Sequence, residues 1–186
     1  MGIGGQQVTI VVDVANVMGS RPDGWWRDRP GAAVRLHGEI VRLAQSGRAI
    51  LPDGPAADSP ATDELAADEL AADEARPGEA SGPGFVMVLE GAARAAAARL
   101  AAAEPDPDAA GTGPVQPGEV RPGEVRPGEV RVVQARGSGD DAIVAVVREL
   151  PGRRVVVTAD RELRARCVAA GAEILGPGWL LGLLRG

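Results

Sequence analysis

QVTIVVDVAN, residues Gln7 to Asn16, opens as an apolar run of β-forming residues and stops at an aspartate. A short apolar run without polar alternation reads as a strand buried on both faces. Such a strand belongs in a parallel sheet covered by helices. The rest of the chain repeats the theme. Phe85–Glu90 (FVMVLE), Val130–Gln134, Arg153–Thr158 (RRVVVT) and Ala172–Leu175 read as four more strands. Ala32–Ser46, Ala92–Ala103, Asp140–Leu150 and Arg161–Ala170 read as helices between them, and Trp179–Leu184 as a last helical turn. Val34, Ile40, Val41 and Leu43 are the apolar positions of the first helix, which Gly47 closes; Pro151 and Gly171 stop two others. The alternation predicts an α/β fold: a three-layer α/β/α sandwich around a mostly parallel sheet of four to five strands.

Two stretches break this rhythm. Residues 53–82 contain DELAADELAADE (Asp63–Glu74), and residues 104–129 run into three copies of PGEVR (Pro117–Arg131). Neither offers enough apolar surface to fold alone, so both are predicted to be disordered inserts in one domain spanning residues 1–186. They also hold the acidity. Residues 53–82 carry nine acids and one Arg, residues 104–131 six acids and three Arg. The remaining 128 residues carry 11 acids and 16 Arg, a net +5 within a chain of net −6. A mildly basic core permits a polyanionic partner without demanding one. All 20 cationic residues are Arg, the pattern of a GC-rich bacterial coding sequence.

Other classes fall away quickly. A single cysteine, Cys167, rules out an intramolecular disulfide or a cysteine metal cluster and should pack on its helix. No apolar stretch approaches the roughly 20 residues that span a bilayer, and the N-terminus has no basic leader, so the chain is expected in the cytoplasm. GIGG (Gly2–Gly5) precedes the first strand, where a dinucleotide fingerprint would follow it. There is no P-loop and no G-x-S-x-G elbow. His37 stands alone in mid-helix and reads as a surface or partly buried residue.

The strand ends carry the chemistry. Asp13 ends the first strand and Glu90 the second; Asp140 and Asp141 follow the third in GSGDD, and Asp160 follows the fourth in VVVTADREL, with Glu162 two residues on. Right-handed crossovers bring all of these to one edge of a parallel sheet. Each acid has a structural reading: Asp160, Asp140 or Ser138 could cap a helix. Together they would repel one another and raise one another's pKa unless a cation neutralised them. An oxygen-only set suits Mg²⁺ or Mn²⁺, which activates water for attack on phosphate esters.

VVDVAN (Val11–Asn16), GSGDDAIVAVV (Gly137–Val147) and VVVTADREL (Val155–Leu163) resemble motifs of the PIN-like nuclease superfamily, most closely its NYN-domain branch of bacterial ribonucleases. The resemblance covers about Val8 to Leu175 and skips both inserts. It implies a compact α/β/α fold whose acids bind Mg²⁺ or Mn²⁺ and hydrolyse RNA. By position, Asp13, Asp141 and Asp160 match the family's catalytic, metal-binding acids, with Asp140 and Glu90 as further ligands and Glu162 as a candidate second acid. Asn16 matches the asparagine that follows the first aspartate. Asn16, Ser138, Arg161 and the loop residues Arg21, Trp25, Trp26 and Arg27 are candidate contacts to RNA, single-stranded if a tryptophan stacks on a base.

That loop, GSRPDGWWRDR (Gly19–Arg29), is longer than the family pattern requires. Its structural reading packs at least one tryptophan and pairs Arg21, Arg27 and Arg29 with Asp23 and Asp28. Adjacent side chains diverge, so one tryptophan in and one out is expected. Two other readings of the whole chain stay open: a binding module of the same fold that has lost hydrolysis, and a nucleoside-triphosphate pyrophosphohydrolase. The latter lacks the paired Glu-x-x-Glu helices such enzymes use for metal. Monomer and homodimer are both compatible with the sequence.

Overall fold

A computed structural model describes residues 7–47, 51, 82–103 and 125–185. Five strands form one sheet: β1 (Val8–Asp13), β2 (Gly84–Leu89), β3 (Val130–Gln134), β4 (Arg153–Val157) and β5 (Glu173–Leu175). Their order is β3-β2-β1-β4-β5, and every pairing is parallel. The helices are α1 (Val14–Gly19), α2 (Arg29–Ser46), α3 (Ala96–Ala103), α4 (Gly139–Glu149), α5 (Arg161–Ala169) and α6 (Pro177–Arg185). This is the three-layer α/β/α architecture expected from the apolar runs.

The pleat of β1 divides the core. Ile10 and Val12 point to the layer built by α1, α2, α3 and α6, joined by Phe85, Met87, Leu89, Val155 and Val157. Val11 points the other way, with Val86, Val88 and Val156, against Ile143, Val144 and Val147 of α4 and Leu163 and Cys167 of α5. Period-two alternation between two apolar layers explains why the central β2 carries no polar residue and β1 only Thr9 and Asp13. Burial pushes the Cys167 thiol up to about 11, so it behaves as a small apolar side chain.

Strand order sets the position of a cleft. The chain leaves β1 toward β2 and β3 on one side, then returns to build β4 and β5 on the other. Connections therefore diverge from the carboxyl ends of β1 and β4, and crevices form at such switch points.

Several expectations change in detail. The residues between Asp13 and the loop are helical, Val14–Gly19 forming α1 and so taking in the loop's expected first residue, and Trp25–Arg27 form a 3-10 turn within the loop. Leu36 joins Ile40 and Leu43 on the buried face of α2, while Val34 is only partly buried. The helix expected over Ala92–Ala103 starts as a 3-10 segment, Gly91–Ala95. The inserts lie outside the described residues except at Gly82 and at 125–129. At 125–129 the chain packs onto the fold: Val125 is buried, its carbonyl accepts from Gln7 Nε2 at 2.6 Å, and Glu129 accepts from the Arg126 amide at 2.9 Å. The last repeat unit is thus a turn that feeds β3. Among the described residues no helix is long and apolar enough to cross a membrane.

Candidate functional site

Asp13 is the last residue of β1 and the N-cap of α1. Its Oδ1 accepts from the Asn16 amide at 3.1 Å. Its Oδ2 accepts from the Thr158 hydroxyl, one residue past β4, at 2.9 Å. The Thr158 oxygen in turn accepts from the Asp160 amide at 3.1 Å. Asn16 closes the same gap from the other side, its side-chain oxygen accepting from the Ala159 amide at 3.0 Å. The carboxyl ends of β1 and β4 are therefore stapled together by side chains, and the carboxylate of Asp13 sits inside the staple, only 8% exposed.

Each neighbouring acid is held by a different element. Asp160 caps α5, accepting from the Leu163 amide at 2.8 Å. Glu90 follows β2 and accepts from the Gly139 amide at the start of α4, at 2.8 Å. Gly139 has no room for a side chain, because a Cβ there would overlap the Glu90 carboxylate. Asp140 stands in the first turn of α4. Asp13, Glu90, Asp140 and Asp160 line one open depression of about 440 Å³, with Ala15, Asn16, Gly19 and Ser20 completing the wall.

The electrostatics follow from this crowding. Burial raises the pKa of Asp13 above its ordinary 3.8; hydrogen bonds from Asn16 and Thr158 oppose the rise, and the charges of Glu90 and Asp140 add to it. Asp140 is also raised, by burial first and then by Asp160; Arg166 opposes this, while Glu90 and Glu162 add to it. Negative charge is thus concentrated where the fold would tolerate it least without a cation.

The expected site residues separate into those that meet and those that do not. Asp13, Glu90, Asp140, Asp160 and Asn16 meet at the depression. Asp141 does not: its side chain is 71% exposed and pairs with Arg166 on α5. The apolar rhythm of α4 explains the difference. Buried Ile143, Val144 and Val147 lie three, four and seven residues after Asp140, so the helix turns Asp140 inward and Asp141 aside. Glu162 and Arg161 are exposed on the first turn of α5, outside the lining. Ser138 occupies the N-cap position of α4, but its side chain makes no capping bond. Thr158, which sequence reasoning passed over, is the buried link between Asp13 and Asp160. Its signal was a polar residue directly after the apolar run Val155–Val157.

The loop differs from its expected pairing. Arg21 reaches Glu39 on α2 at 2.5 Å, 18 residues away. Asp23 accepts from the Trp25 amide, and Asp28 caps α2 by accepting from Gly31. Arg27 lies over Trp26 and Arg29 over Trp25, with 6.0 and 5.3 Å between guanidinium and ring centre. Trp25 packs against the core while Trp26 stays 57% exposed, one in and one out.

Among the described residues no three His, Cys, Asp or Glu side chains are arranged to hold a metal ion as they stand. The donor set nonetheless fits a hard divalent cation in kind: four carboxylates without nitrogen or sulfur, two of them shifted against ionisation. Comparison with known protein families finds no match, and comparison with curated proteins finds none. Among solved structures, the chain is similar to a single-site mutant of Rae1 (YacP) from Bacillus subtilis, at 11% identity and a TM-score of 0.49. The superposition covers 96% of this chain and 74% of that one. A likeness of that degree transfers no activity.

Proposed function

We propose that the chain is a metal-dependent ribonuclease whose site is the depression between the carboxyl ends of β1 and β4. The observation that carries this reading is the convergence of Asp13, Glu90, Asp140 and Asp160 there, with Asp13 buried and raised. Carboxylates kept together against their mutual repulsion suit a Mg²⁺ or Mn²⁺ site and, through it, a phosphodiester substrate. Asp13, Asp140 and Asp160 would hold the cation, with Glu90 beside them. A bound cation supplies charge neutralisation and an acidified water for in-line attack.

The chain's own residues do the positioning. Thr158 and the Asn16 amide fix both oxygens of Asp13, so its carboxylate cannot rotate freely. Glu90 locks the start of α4 and so fixes the turn that presents Asp140. Asn16 keeps the β4 end, and with it Asp160, in register with Asp13. Ser20, on the wall, spends its hydroxyl proton on the Asn16 carbonyl at 2.9 Å and so holds the end of α1. This arrangement favours Asp140 over Asp141 as the third carboxylate.

The test is cleavage of single-stranded RNA with Mn²⁺. Asp13→Asn and Asp160→Asn are each expected to lower the rate by at least about 100-fold, more than the loss of an outer-shell partner of a metal ligand, while the protein stays folded. Undiminished cleavage by both variants would sink the proposal. One observation favours a second reading, a binding module without hydrolysis: the acids are not closed into a cage. A parent chain whose melting temperature ignores Mn²⁺ would support that module and remove the nuclease.

A further inference from the structure

Of the large apolar side chains among the described residues, two are exposed, Trp26 and Val168. Val168 is in the last turn of α5, at the end opposite its cap Asp160, whereas Trp26 belongs to the loop that follows α1. That loop is built to be stiff. Gly24 takes a left-handed conformation with φ 76°, and the Arg27 amide donates to the Gly24 carbonyl at 3.0 Å. Asp23 ties down the Trp25 amide at 3.1 Å, and Asp28 ties the loop's end to α2 at 2.9 Å. Trp25 anchors the turn in the core layer. Trp26 stands edge-on to it, with ring centres 6.3 Å apart and planes at 86°.

Placement links this ring pair to the acids. Trp25 lies against Gly19, near enough that a Cβ there would meet its Cζ2 at 3.8 Å, and Gly19 is on the wall of the depression. The sequence from wall to solvent is therefore Gly19, Trp25, Trp26. Arg27 and Arg29 stand at the two rings. They put positive charge on the loop that leaves the acidic depression. An exposed indole with cations around it, on a pre-ordered turn, matches an unpaired nucleobase with its phosphates.

We infer that Trp26 is the stacking platform for one unpaired base of a single-stranded RNA whose backbone crosses the acidic depression. Trp25 supports the platform without touching RNA, and Arg27 meets a flanking phosphate. The inference rests on the ribonuclease reading for the identity of the polymer. Its consequence is a substrate preference: a base must be free to leave its stack, so a paired duplex cannot use Trp26.

The experiment uses the full chain carrying Asp13→Asn, so that binding is read without cleavage. Fluorescence anisotropy in Mg²⁺ follows a labelled single-stranded RNA of mixed sequence and the same strand annealed to its complement. Adding Trp26→Ala is expected to weaken single-strand binding by about 5- to 100-fold and to leave duplex binding unchanged. Trp26→Phe should keep most of the affinity, and Trp26→Leu should lose as much as Trp26→Ala, because an aliphatic group has no π-face. Single-strand affinity insensitive to Trp26→Ala, a leucine that binds like the parent, or no RNA binding at all overturns the platform. The parent chain is assayed for Mn²⁺-dependent cleavage in parallel. Trp26-dependent binding without cleavage sinks the nuclease alone; cleavage with Trp26-independent binding sinks the platform alone.

Discussion

The crevice at the ends of β1 and β4 and the loop from Ser20 to Asp28 are adjacent, yet they are held in opposite ways. In the crevice the side chains are fixed by hydrogen bonds to backbone atoms of other elements: Asp13 to α1, Asn16 to Ala159 two residues after β4, Glu90 to α4. In the loop the turn bonds are short-range: the Arg21–Glu39 ion pair ties its start to α2, and a single apolar ring, Trp25, joins the turn to the core. A network with several anchors tolerates the loss of one. A segment with one apolar anchor does not. The comparison teaches where each region is vulnerable: the crevice through its charge, the loop through its packing.

The largest stability effect should therefore fall on the loop. Trp25→Ala removes the partly buried ring and is expected to cost about 2 kcal/mol, whereas Trp26→Ala should leave the melt almost unmoved. Urea unfolding of the two variants decides it. Equal stabilities would mean that Trp25 does not anchor the turn, and the contrast between the regions would fail.

A smaller effect, of the opposite sign, belongs to the crevice. The folded-state pKa of Asp13 is raised above 3.8. Between that value and the raised one, the folded state binds more protons than the unfolded state, so stability falls as pH rises through the window. At neutral pH the ionised Asp13 is thus a cost. Asp13→Asn can still accept from Asn16 and can donate to Thr158, so in chelator the variant should melt higher than the parent at pH 7. The margin should shrink as pH falls and vanish below about pH 3.8, where both side chains are neutral. A variant less stable than the parent at pH 7 would show that the hydrogen bonds to the carboxylate outweigh its desolvation.

The two regions were also unequally legible in the sequence. All five strands follow from apolar runs with turn residues at their ends, and the acids at four of those ends follow from parallel topology. Helix α1 was hidden because VANVMG continues the β-branched, apolar character of the strand before it; the one cue was Asp13 as an N-cap. Thr158 was hidden because its partners lie 145 residues away and two residues away, and only the fold brings them together. The pairing of Arg21 with Glu39 instead of its near neighbours is likewise a product of packing α2 beside the loop. Short-range charge complementarity in GSRPDGWWRDR pointed to pairs that the backbone spends on turns and caps. The split between the tryptophans was readable, since adjacent side chains diverge, but which one turned inward was not.

The smallest expected effect concerns the adjacent pair Asp140 and Asp141. Motif position favours Asp141; the helix phase favours Asp140, which lines the depression and feels Asp160, Glu90 and Glu162. Asp141 is exposed and its carboxylate is occupied by Arg166, an ion pair of the kind that solvent screens. Under the ribonuclease reading, Asp140→Asn should lower the Mn²⁺-dependent rate by at least about tenfold. Asp141→Asn should change it by no more than about twofold and leave the melt where it was. Arg166→Gln releases the same pair and also removes the positive charge that opposes the rise at Asp140, so any loss of rate beyond that of Asp141→Asn reports on Asp140. If Asp141→Asn instead abolishes cleavage while Asp140→Asn does not, α4 must rotate when substrate and metal arrive. The motif would then have been the better guide than the resting helix, and the crevice would be the mobile region of the two.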